Sequence, residues 1–371
     1  MDETSITRAL PTHGGQLSAI AKAFSIPMDR LLDFSASIYP DGPSPRVIEA
    51  LSKALGNAEH LRRYPDLESS DLRTNLEGYA AVPAGNILVA NGIVPLLSAS
   101  LRAVKARRCL LPVPAFGEYR RILEREGVDV HIYPLAPTAN FRPGLEHLIE
   151  HCVESGCDSV ILTNPHNPSG ATFEAAEMLS MIALAARRTI RVLLDEAFID
   201  FVPEESVSSY VPQTGELIVF RSVTKFFAMA GLRIAYVIAA EHRMAAIASS
   251  LDPWSVSTLA SIAAGAAVQD LSYISNAVRH NSAEREGLRC ALAGIGLTVF
   301  PSRANFLLIQ LPSERRGTNV WERLVLEHRI VVRNCGTFEG LDGSYLRIAV
   351  RGREDNLRLA HALASVMDRS I

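Results

Sequence analysis

The middle of the chain alternates short, continuously apolar runs with longer segments whose apolar residues recur at helical spacing. The runs at 160–162 and 192–194 are apolar throughout and end in polar residues, which is the pattern of strands buried on both faces. The segment at 174–188 has the spacing of an amphipathic helix. This alternation predicts an α/β fold with a mostly parallel central sheet flanked by helices.

The pattern changes near residue 256, where a segment rich in alanine and serine leads into a region of shorter and less regular alternation. In that region we predict strands at 297–300, 305–309 and 345–349, and helices at 320–328 and 355–367. The chain is therefore expected to have three parts: an N-terminal arm at 1–40, a large domain at 41–255 and a small α+β domain at 256–371. We expect the arm to join the small domain.

Candidate chemistry lies in the segment Ser222-Val223-Thr224-Lys225, which Arg233 follows. A lysine with an ordinary pKa of about 10.4 is protonated and not nucleophilic at neutral pH, so it needs a desolvated site among other charged groups. Two hydroxyls and an arginine near one lysine suit a phosphate group beside an amine that forms a Schiff base. The short motif also occurs by chance at exposed strand ends, so its meaning depends on the rest of the site.

Two further polar side chains follow apolar runs. Asp195 ends the run at 192–194, and Asn167 lies in a turn-rich segment after 160–162. Open α/β sheets bind ligands at the carboxyl ends of their strands, so we expect both side chains near the lysine. A carboxylate can hold the proton of a pyridine nitrogen there, although capping of the next helix is the commoner role of such an aspartate. Together, the residues suit pyridoxal 5′-phosphate.

In their order along the chain, these motifs resemble the fold-type I pyridoxal-phosphate enzymes, the aspartate aminotransferase superfamily, from His13 to about Arg353. The resemblance implies that Lys225 is the Schiff-base lysine, that Asp195 is the partner of the pyridine nitrogen and that Asn167 donates to the ring oxygen. It also implies a set of cofactor contacts around the ring and the phosphate: Phe116 stacked on the ring, and Ser222, Thr224, Arg233 and the backbone N–H groups of Gly92 and Ile93 at the phosphate.

Tyr64, in the segment Arg-Tyr-Pro-Asp, matches a tyrosine that reaches the cofactor phosphate of the neighbouring subunit. The resemblance therefore implies a homodimer with shared active sites.

Within the superfamily, several segments are similar to the L-threonine O-3-phosphate decarboxylases, which supply the aminopropanol phosphate of cobalamin. They are the histidine-glycine-glycine of the arm, 33–40, 195–201, 253–257 and 333–342. This resemblance implies that Arg347 binds the substrate carboxylate and that Arg333 helps to bind the substrate phosphate. Our hypothesis for His13 is that its arm folds over that phosphate; the alternative is a hinge beside two glycines. The alternatives are an aminotransferase of the histidinol-phosphate type and a relative that keeps the fold without catalysis.

Two residues depart from the patterns of these families. Phe198 stands where the aminotransferases usually have a tyrosine. Ser37, at a position expected to contact substrate, stands where the decarboxylases generally have an asparagine. The shorter side chain changes the contact that this position can make with substrate.

Composition narrows the remaining possibilities. A net charge of −3 gives no electrostatic basis for binding nucleic acid. Five cysteines without a C-x-x-C spacing indicate reduced thiols, and the start of the chain lacks the basic and apolar regions of a signal peptide. No run approaches the roughly 18 apolar residues of a membrane span. We therefore expect a cytoplasmic enzyme, for which the resemblance implies a small phosphorylated amino acid as substrate.

Other cofactors find little support in the sequence. A metal site built from His147, His151, Cys152 and Cys157 is disfavoured, since 144–156 has the pattern of an ordinary amphipathic helix with its polar side in water. The Gly-Ile-Gly segment at 294–296 lacks the third glycine of a dinucleotide fingerprint and is expected to end a helix. A nucleotide-binding phosphate loop is also missing from the sequence, so we expect no metal and no nucleotide.

Overall fold

The computed structural model describes residues 11–312 and 317–368, so the first ten residues of the predicted arm lie outside the described part. The strands are β1 (Leu32–Phe34), β2 (Ile87–Ala90), β3 (Arg108–Val113), β4 (Asp129–Pro134), β5 (Ser159–Thr163), β6 (Arg191–Asp195), β7 (Leu217–Ser222), β8 (Ala235–Ile238), β9 (Thr298–Val299), β10 (Phe306–Gln310), β11 (Ile330–Asn334) and β12 (Tyr345–Ala349).

The helices precede, follow and connect these strands. They are α1 (Leu17–Phe24), α2 (Pro45–Leu55), α3 (Glu59–Arg62), α4 (Ser70–Ala80), α5 (Ile93–Val104), α6 (Glu118–Arg125), α7 (Leu145–Glu154), α8 (Ala175–Arg187), α9 (Glu241–Ala248), α10 (Thr258–Val268), α11 (Leu271–Gly294), α12 (Gly317–His328) and α13 (Arg353–Asp368).

A seven-stranded sheet has the order β2-β8-β7-β6-β5-β3-β4. Its strands pair in parallel except for β8, which is antiparallel to both β2 and β7. Successive side chains of the central strands pack into different apolar clusters, with Val160 and Val192 in one and Ile161 and Leu193 in the other. Both faces of the sheet are therefore buried, and the predicted α/β fold is confirmed.

A second sheet of five strands has the order β1-β11-β12-β10-β9 and is mostly antiparallel. Strand β1, which lies within the predicted arm, pairs in parallel with β11. The predicted strand at 345–349 coincides with β12, whereas the predicted strand at 297–300 is shorter in the structure, at Thr298–Val299. The boundaries that we predict at residues 40 and 255 stay predictions.

Local sequence explains where several elements begin and end. Helix α8 begins with a capping box. The side chain of Glu174 accepts a hydrogen bond from the backbone N–H of Glu177, and the side chain of Glu177 accepts one from the backbone N–H of Glu174. The long helix α11 ends at Gly294, and Gly296 just beyond it has a φ of 82°, which favours glycine. The expectation that this segment ends a helix is therefore confirmed. No helix among residues 11–312 and 317–368 is long and apolar enough to cross a membrane.

Candidate active site

A cavity of about 310 Å³ opens at the carboxyl ends of β5, β6 and β7, where the two sheets face each other. Side chains from both sheets, from the N-terminus of α5 and from the arm line it. The predicted site residues in its lining are His13, Ser37, Ile93, Phe116, Asn167, Asp195, Thr224, Lys225, Arg233 and Arg347. The fold therefore brings together most of the residues that the sequence singled out, and the roles assigned to them stay predictions.

Lys225 is the central amine of this cavity. Its Nζ lies 3.2 Å from the Oγ of Ser222 and 5.7 Å from the centre of the Phe198 ring. Burial lowers the pKa of Lys225, and the positive charges of Arg233 and Arg347 lower it further, against the opposing effect of Asp195. A larger fraction of Lys225 is therefore neutral than for a lysine in water, which is the state that attacks a carbonyl carbon.

Asp195 is buried on the inner side of the cavity. Its Oδ2 accepts a hydrogen bond of 2.5 Å from the hydroxyl of Tyr119, and its Oδ1 accepts one of 2.7 Å from the N–H of Ala197. Burial raises the pKa of Asp195, while Tyr119, Lys225 and the Ala197 N–H counteract that rise by favouring the carboxylate. The carboxylate is thus held in place by donors and is suited to pairing with a protonated ring nitrogen.

The opposite side of the cavity is rich in hydrogen-bond donors. The hydroxyls of Ser222 and Thr224 lie 2.7 Å apart, and helix α5 presents its N-terminus there. Gly92, just before that helix, has a φ of 96°, and a Cβ at this position would lie 3.3 Å from the guanidinium of Arg233. Glycine therefore allows the close approach of backbone and arginine, and the donors together suit a phosphate dianion.

Arg347 is buried on β12 and links the two sheets across the cavity. It donates to the side-chain oxygen of Asn167 at 2.6 Å and to the carbonyl of Ser35 at 3.1 Å. Its guanidinium lies 5.2 Å from the centre of the Phe306 ring, and its Nε has no partner. Ser37 is also buried, and its Oγ likewise has no partner. Two unpaired polar groups at one cavity indicate that it is built to receive a polar ligand.

The arm contributes His13 and Gly14 to the lining of the cavity, and it contacts helix α6 and strand β11. His13 lies 3.2 Å from a carboxylate oxygen of Glu118 at the start of α6. A Cβ on Gly14 would lie 2.1 Å from the carbonyl oxygen of Ser35, so only glycine fits between the arm and that segment. Arg333 donates to the carbonyls of Pro11 and Thr12, and to the hydroxyl of Thr337 at 2.6 Å. In the structure Arg333 thus holds the arm instead of lining the cavity.

Tyr64 lies outside the cavity. Its side chain is 80% exposed and packs against Trp254, with the ring centres 4.8 Å apart. An exposed aromatic residue that is absent from its own chain's site is compatible with the predicted contact to a neighbouring subunit.

The histidines that we considered as metal ligands lie elsewhere, between β4 and α7. His151 approaches His131 at 3.3 Å between their Nε2 atoms, and Cys152 is buried on the other side of the helix. Within the described part of the chain, no three residues of the metal-binding types come together.

The sequence analysis assigned no role to two residues of the site. Tyr119 is the donor to Asp195, and Arg221 lies beneath the site, where it pairs with Glu196 at 3.4 Å and Asp200 at 2.5 Å. Glu196, next to Asp195, and Arg221, next to Ser222, therefore pair on the opposite face of the sheet and fix the ends of β6 and β7. The adjacent pair Asp195-Glu196 was a possible signal, because two carboxylates at the end of a buried strand need partners on both faces.

The donor set fits pyridoxal 5′-phosphate. Donors that suit a phosphate lie near a partly desolvated lysine, and a buried carboxylate with donors of its own lines the same cavity. The volume is sufficient for a small aromatic phosphate and an amino acid. Fold and site together define a pyridoxal-phosphate enzyme of fold type I.

Comparison with known proteins gives the family. Residues 29–363 match the model described as aminotransferase class I and II, and the chain belongs to this family, whose cofactor is pyridoxal 5′-phosphate. A threonine-phosphate decarboxylase of Salmonella typhimurium is 35% identical over 362 residues, 96% of each chain. An adenosylcobalamin biosynthesis bifunctional protein of Leptospira interrogans is 29% identical over 96% of this chain and 41% of its own length.

A solved structure is also similar in fold. The histidinol-phosphate aminotransferase of Clostridium acetobutylicum superimposes with a TM-score of 0.83 and 29% identity, over 91% of this chain and 99% of that one. The comparisons therefore include both activities that the sequence resembles.

Proposed function

We propose that this enzyme decarboxylates L-threonine O-3-phosphate to (R)-1-amino-2-propanol O-2-phosphate, a step of cobalamin biosynthesis. The observation that carries the proposal is the presence of two basic side chains in the cavity lining beyond those suited to the cofactor: Arg347, which is buried, and His13, which is partly exposed. An O-phosphorylated amino acid has two anionic groups, a carboxylate and a phosphate. Histidinol phosphate has a phosphate but no carboxylate, so in that half-reaction of an aminotransferase Arg347 would have no anionic partner, and only the oxo acid of the other half-reaction would supply one.

The resident side chains divide the work. Arg347 binds the substrate carboxylate through its guanidinium group, which the hydrogen bonds to Asn167 and Ser35 hold in a fixed orientation. Ser37 offers its unpaired hydroxyl to the substrate. His13 contacts the substrate phosphate, with the arm held in place by Arg333. The bound cofactor supplies an electron sink for the carbon that loses its carboxylate.

Proton transfer falls to Lys225. Decarboxylation breaks the bond between Cα and the carboxylate, releases CO₂ and leaves Cα to take up one proton. Lys225 stands at the centre of the cavity with its amine 3.2 Å from Ser222, so it is the group placed to deliver that proton. In an aminotransferase the same amine would remove the α-proton. The anion-binding groups therefore decide the reaction through the orientation of the substrate.

The test is turnover without an amino acceptor. The holoenzyme is incubated with L-threonine O-3-phosphate alone, and CO₂ and aminopropanol phosphate are measured. We expect sustained release of both in equal amounts, because transamination without an oxo acid stops after one half-reaction. The Lys225→Ala variant is the control for release that does not depend on the enzyme.

The aminotransferase is the second candidate, because a solved histidinol-phosphate aminotransferase has a closely similar fold. A parallel reaction with histidinol phosphate and 2-oxoglutarate tests it. Glutamate formation there, with no CO₂ from threonine phosphate, would exclude the decarboxylase and establish the aminotransferase.

The proposed assembly is a homodimer with shared sites. Large apolar side chains are exposed at Tyr64, at its neighbours in sequence Leu61 and Leu67, and at Trp254, which packs against Tyr64. An adjoining groove of about 400 Å³ lies between the residues at 60–75 and helix α10. Apolar side chains concentrated in this way are typical of a surface covered by another copy of the chain.

Mixing two defective variants tests this assembly. Tyr64→Ala and Lys225→Ala are each expected to be impaired. Equal amounts, unfolded and refolded together, should recover up to about a quarter of wild-type activity, since half of the dimers then hold one intact site. The control is Tyr210→Ala mixed with Lys225→Ala, because Tyr210 is exposed elsewhere. A Tyr64 mixture no more active than the sum of its separate parts would rule out shared sites.

A further inference from the structure

His166 is a buried imidazole with a partner on each ring nitrogen, and it lines no part of the main cavity. Its Nε2 lies 2.9 Å from the carbonyl oxygen of Pro114, and its Nδ1 lies 2.7 Å from the hydroxyl of Ser169. Pro114 lies just after β3 and His166 lies after β5, so the two residues are far apart in sequence. Its contacts therefore join segments that the chain itself does not connect.

The partners fix the tautomer of the ring. A carbonyl oxygen can only accept, so Nε2 carries the hydrogen and donates to Pro114. The other nitrogen, Nδ1, then accepts from the hydroxyl of Ser169, whose oxygen in turn accepts from the N–H of Ala171 at 3.2 Å. Burial lowers the pKa of His166 to about 4, so the ring is neutral at neutral pH and this pattern persists.

Each of the two segments carries a side chain of the site. Two residues beyond Pro114 is Phe116, whose ring lines the cavity and packs edge-on against Tyr119 at 5.5 Å between ring centres. The residue next to His166 is Asn167, which accepts from Arg347. The hydrogen bond from His166 to Pro114 therefore connects the segment that carries Phe116 to the segment that carries Asn167.

The turn around His166 makes this tie stiff. The N–H of His166 donates to the carbonyl of Ala171 at 2.7 Å, and the N–H of Gly170 donates to the carbonyl of His166 at 2.6 Å. The backbone is therefore closed on itself, and a movement of the imidazole would carry Asn167 with it. Side chains that hold a ligand need such support if their spacing is to be fixed before the ligand binds.

We propose that His166 is a positioning residue for the cofactor: its bond to Pro114 sets the spacing between Phe116 and Asn167. It touches neither substrate nor reacting atoms. Its effect is on how tightly and in what orientation pyridoxal phosphate is held, and that effect is the same for a decarboxylase and an aminotransferase. Failure of the proposed reaction would therefore leave this inference standing, and the reverse also holds.

Three substitutions separate the two bonds of the ring. In His166→Gln the side-chain amide nitrogen reaches the place of Nε2 and can still donate to Pro114. In His166→Asn the side-chain oxygen reaches the place of Nδ1 and keeps only the bond from Ser169. His166→Phe keeps the bulk of the ring and loses both bonds. Ser169→Ala is the matched control, because it removes the local bond and leaves the bond to Pro114.

The readouts are the dissociation constant of pyridoxal 5′-phosphate from the full-length protein and the visible circular dichroism of the bound cofactor. We expect His166→Phe and His166→Asn to weaken binding about tenfold, which corresponds to roughly 1.4 kcal/mol, and to reduce the dichroic signal. His166→Gln and Ser169→Ala should stay within about twofold of the wild type.

The inference is overturned if glutamine fails to rescue, so that His166→Gln binds the cofactor as weakly as His166→Phe. It is also overturned if His166→Phe retains wild-type affinity and dichroism, or if Ser169→Ala is as damaging as His166→Asn, since the local turn would then account for the effect. Thermal unfolding of each variant without cofactor identifies a general loss of stability. A His166 variant that loses thermal stability but shows neither the weaker cofactor binding nor the reduced dichroic signal expected above counts against the proposal.

Discussion

Replacement of Lys225 by alanine is expected to lower kcat by a factor on the order of 10⁴ or more, whichever reaction the enzyme catalyses. In the proposed function this residue has two tasks: its amine would attach the cofactor and would then move a proton at Cα. No other described side chain of the cavity provides an amine. The loss is measured as turnover at saturating substrate, and as the amount of cofactor that stays attached after reduction with borohydride.

Lys53→Ala is the control for this experiment, since Lys53 is exposed on α2 and alanine favours a helix. It should behave as the wild type in both measurements. Normal covalent attachment in Lys225→Ala would contradict the assignment of the Schiff-base lysine and would point to a different amine.

Replacement of Asp195 by asparagine is expected to lower kcat/KM by about 10²–10³. Asparagine keeps the shape of the side chain but removes a buried charge, and breaking one side of a buried ion pair costs about 3–5 kcal/mol. The amide no longer favours a protonated ring nitrogen, so the cofactor withdraws electrons less strongly. Steady-state kinetics and the absorbance of the holoenzyme measure the change. Activity within threefold of the wild type would show that the carboxylate is not the partner of the ring.

Tyr119→Phe is a milder test of the same carboxylate, because it removes only the hydrogen bond that Tyr119 donates to Asp195. The hydrogen bond from Tyr119 favours the carboxylate, so its loss raises the pKa of Asp195. Activity that depends on the carboxylate is lost as the pH falls through that pKa. The acid limb of kcat/KM should therefore move to higher pH. A limb that stays in place or moves to lower pH would contradict the role of Tyr119.

The strands of the seven-stranded sheet were predictable because burial on both faces leaves a simple mark in the sequence. A continuous apolar run followed by a polar residue identified β5 and β6, and the same argument placed Asn167 and Asp195 at one edge. Short strands at the edge of the second sheet leave a weaker mark. Strand β9 is only Thr298–Val299, since half of its surroundings is solvent and no long apolar run is needed.

Contacts between distant segments could not be derived from spacing. Arg333 sits on a buried strand, and its sequence neighbours give no sign that its guanidinium binds the carbonyls of Pro11 and Thr12. The bonds of Tyr119 to Asp195 and of His166 to Pro114 are likewise between residues far apart along the chain. Each depends on where the two backbones lie in space, which the pattern of apolar residues constrains only to the level of a whole element.

By itself, the sequence determined the α/β class, the type of cofactor and the lysine, aspartate and asparagine that line one cavity, because buried strands and chemically demanding motifs are encoded by neighbouring residues. The tertiary structure alone decided what surrounds them: the donor to Asp195, the link between Arg347 and Asn167, and the anchoring of the arm by Arg333. The physical reason is that desolvation and hydrogen bonding act between groups within a few ångströms of each other. Closeness of that kind arises only when the two sheets and the arm pack around the same cavity.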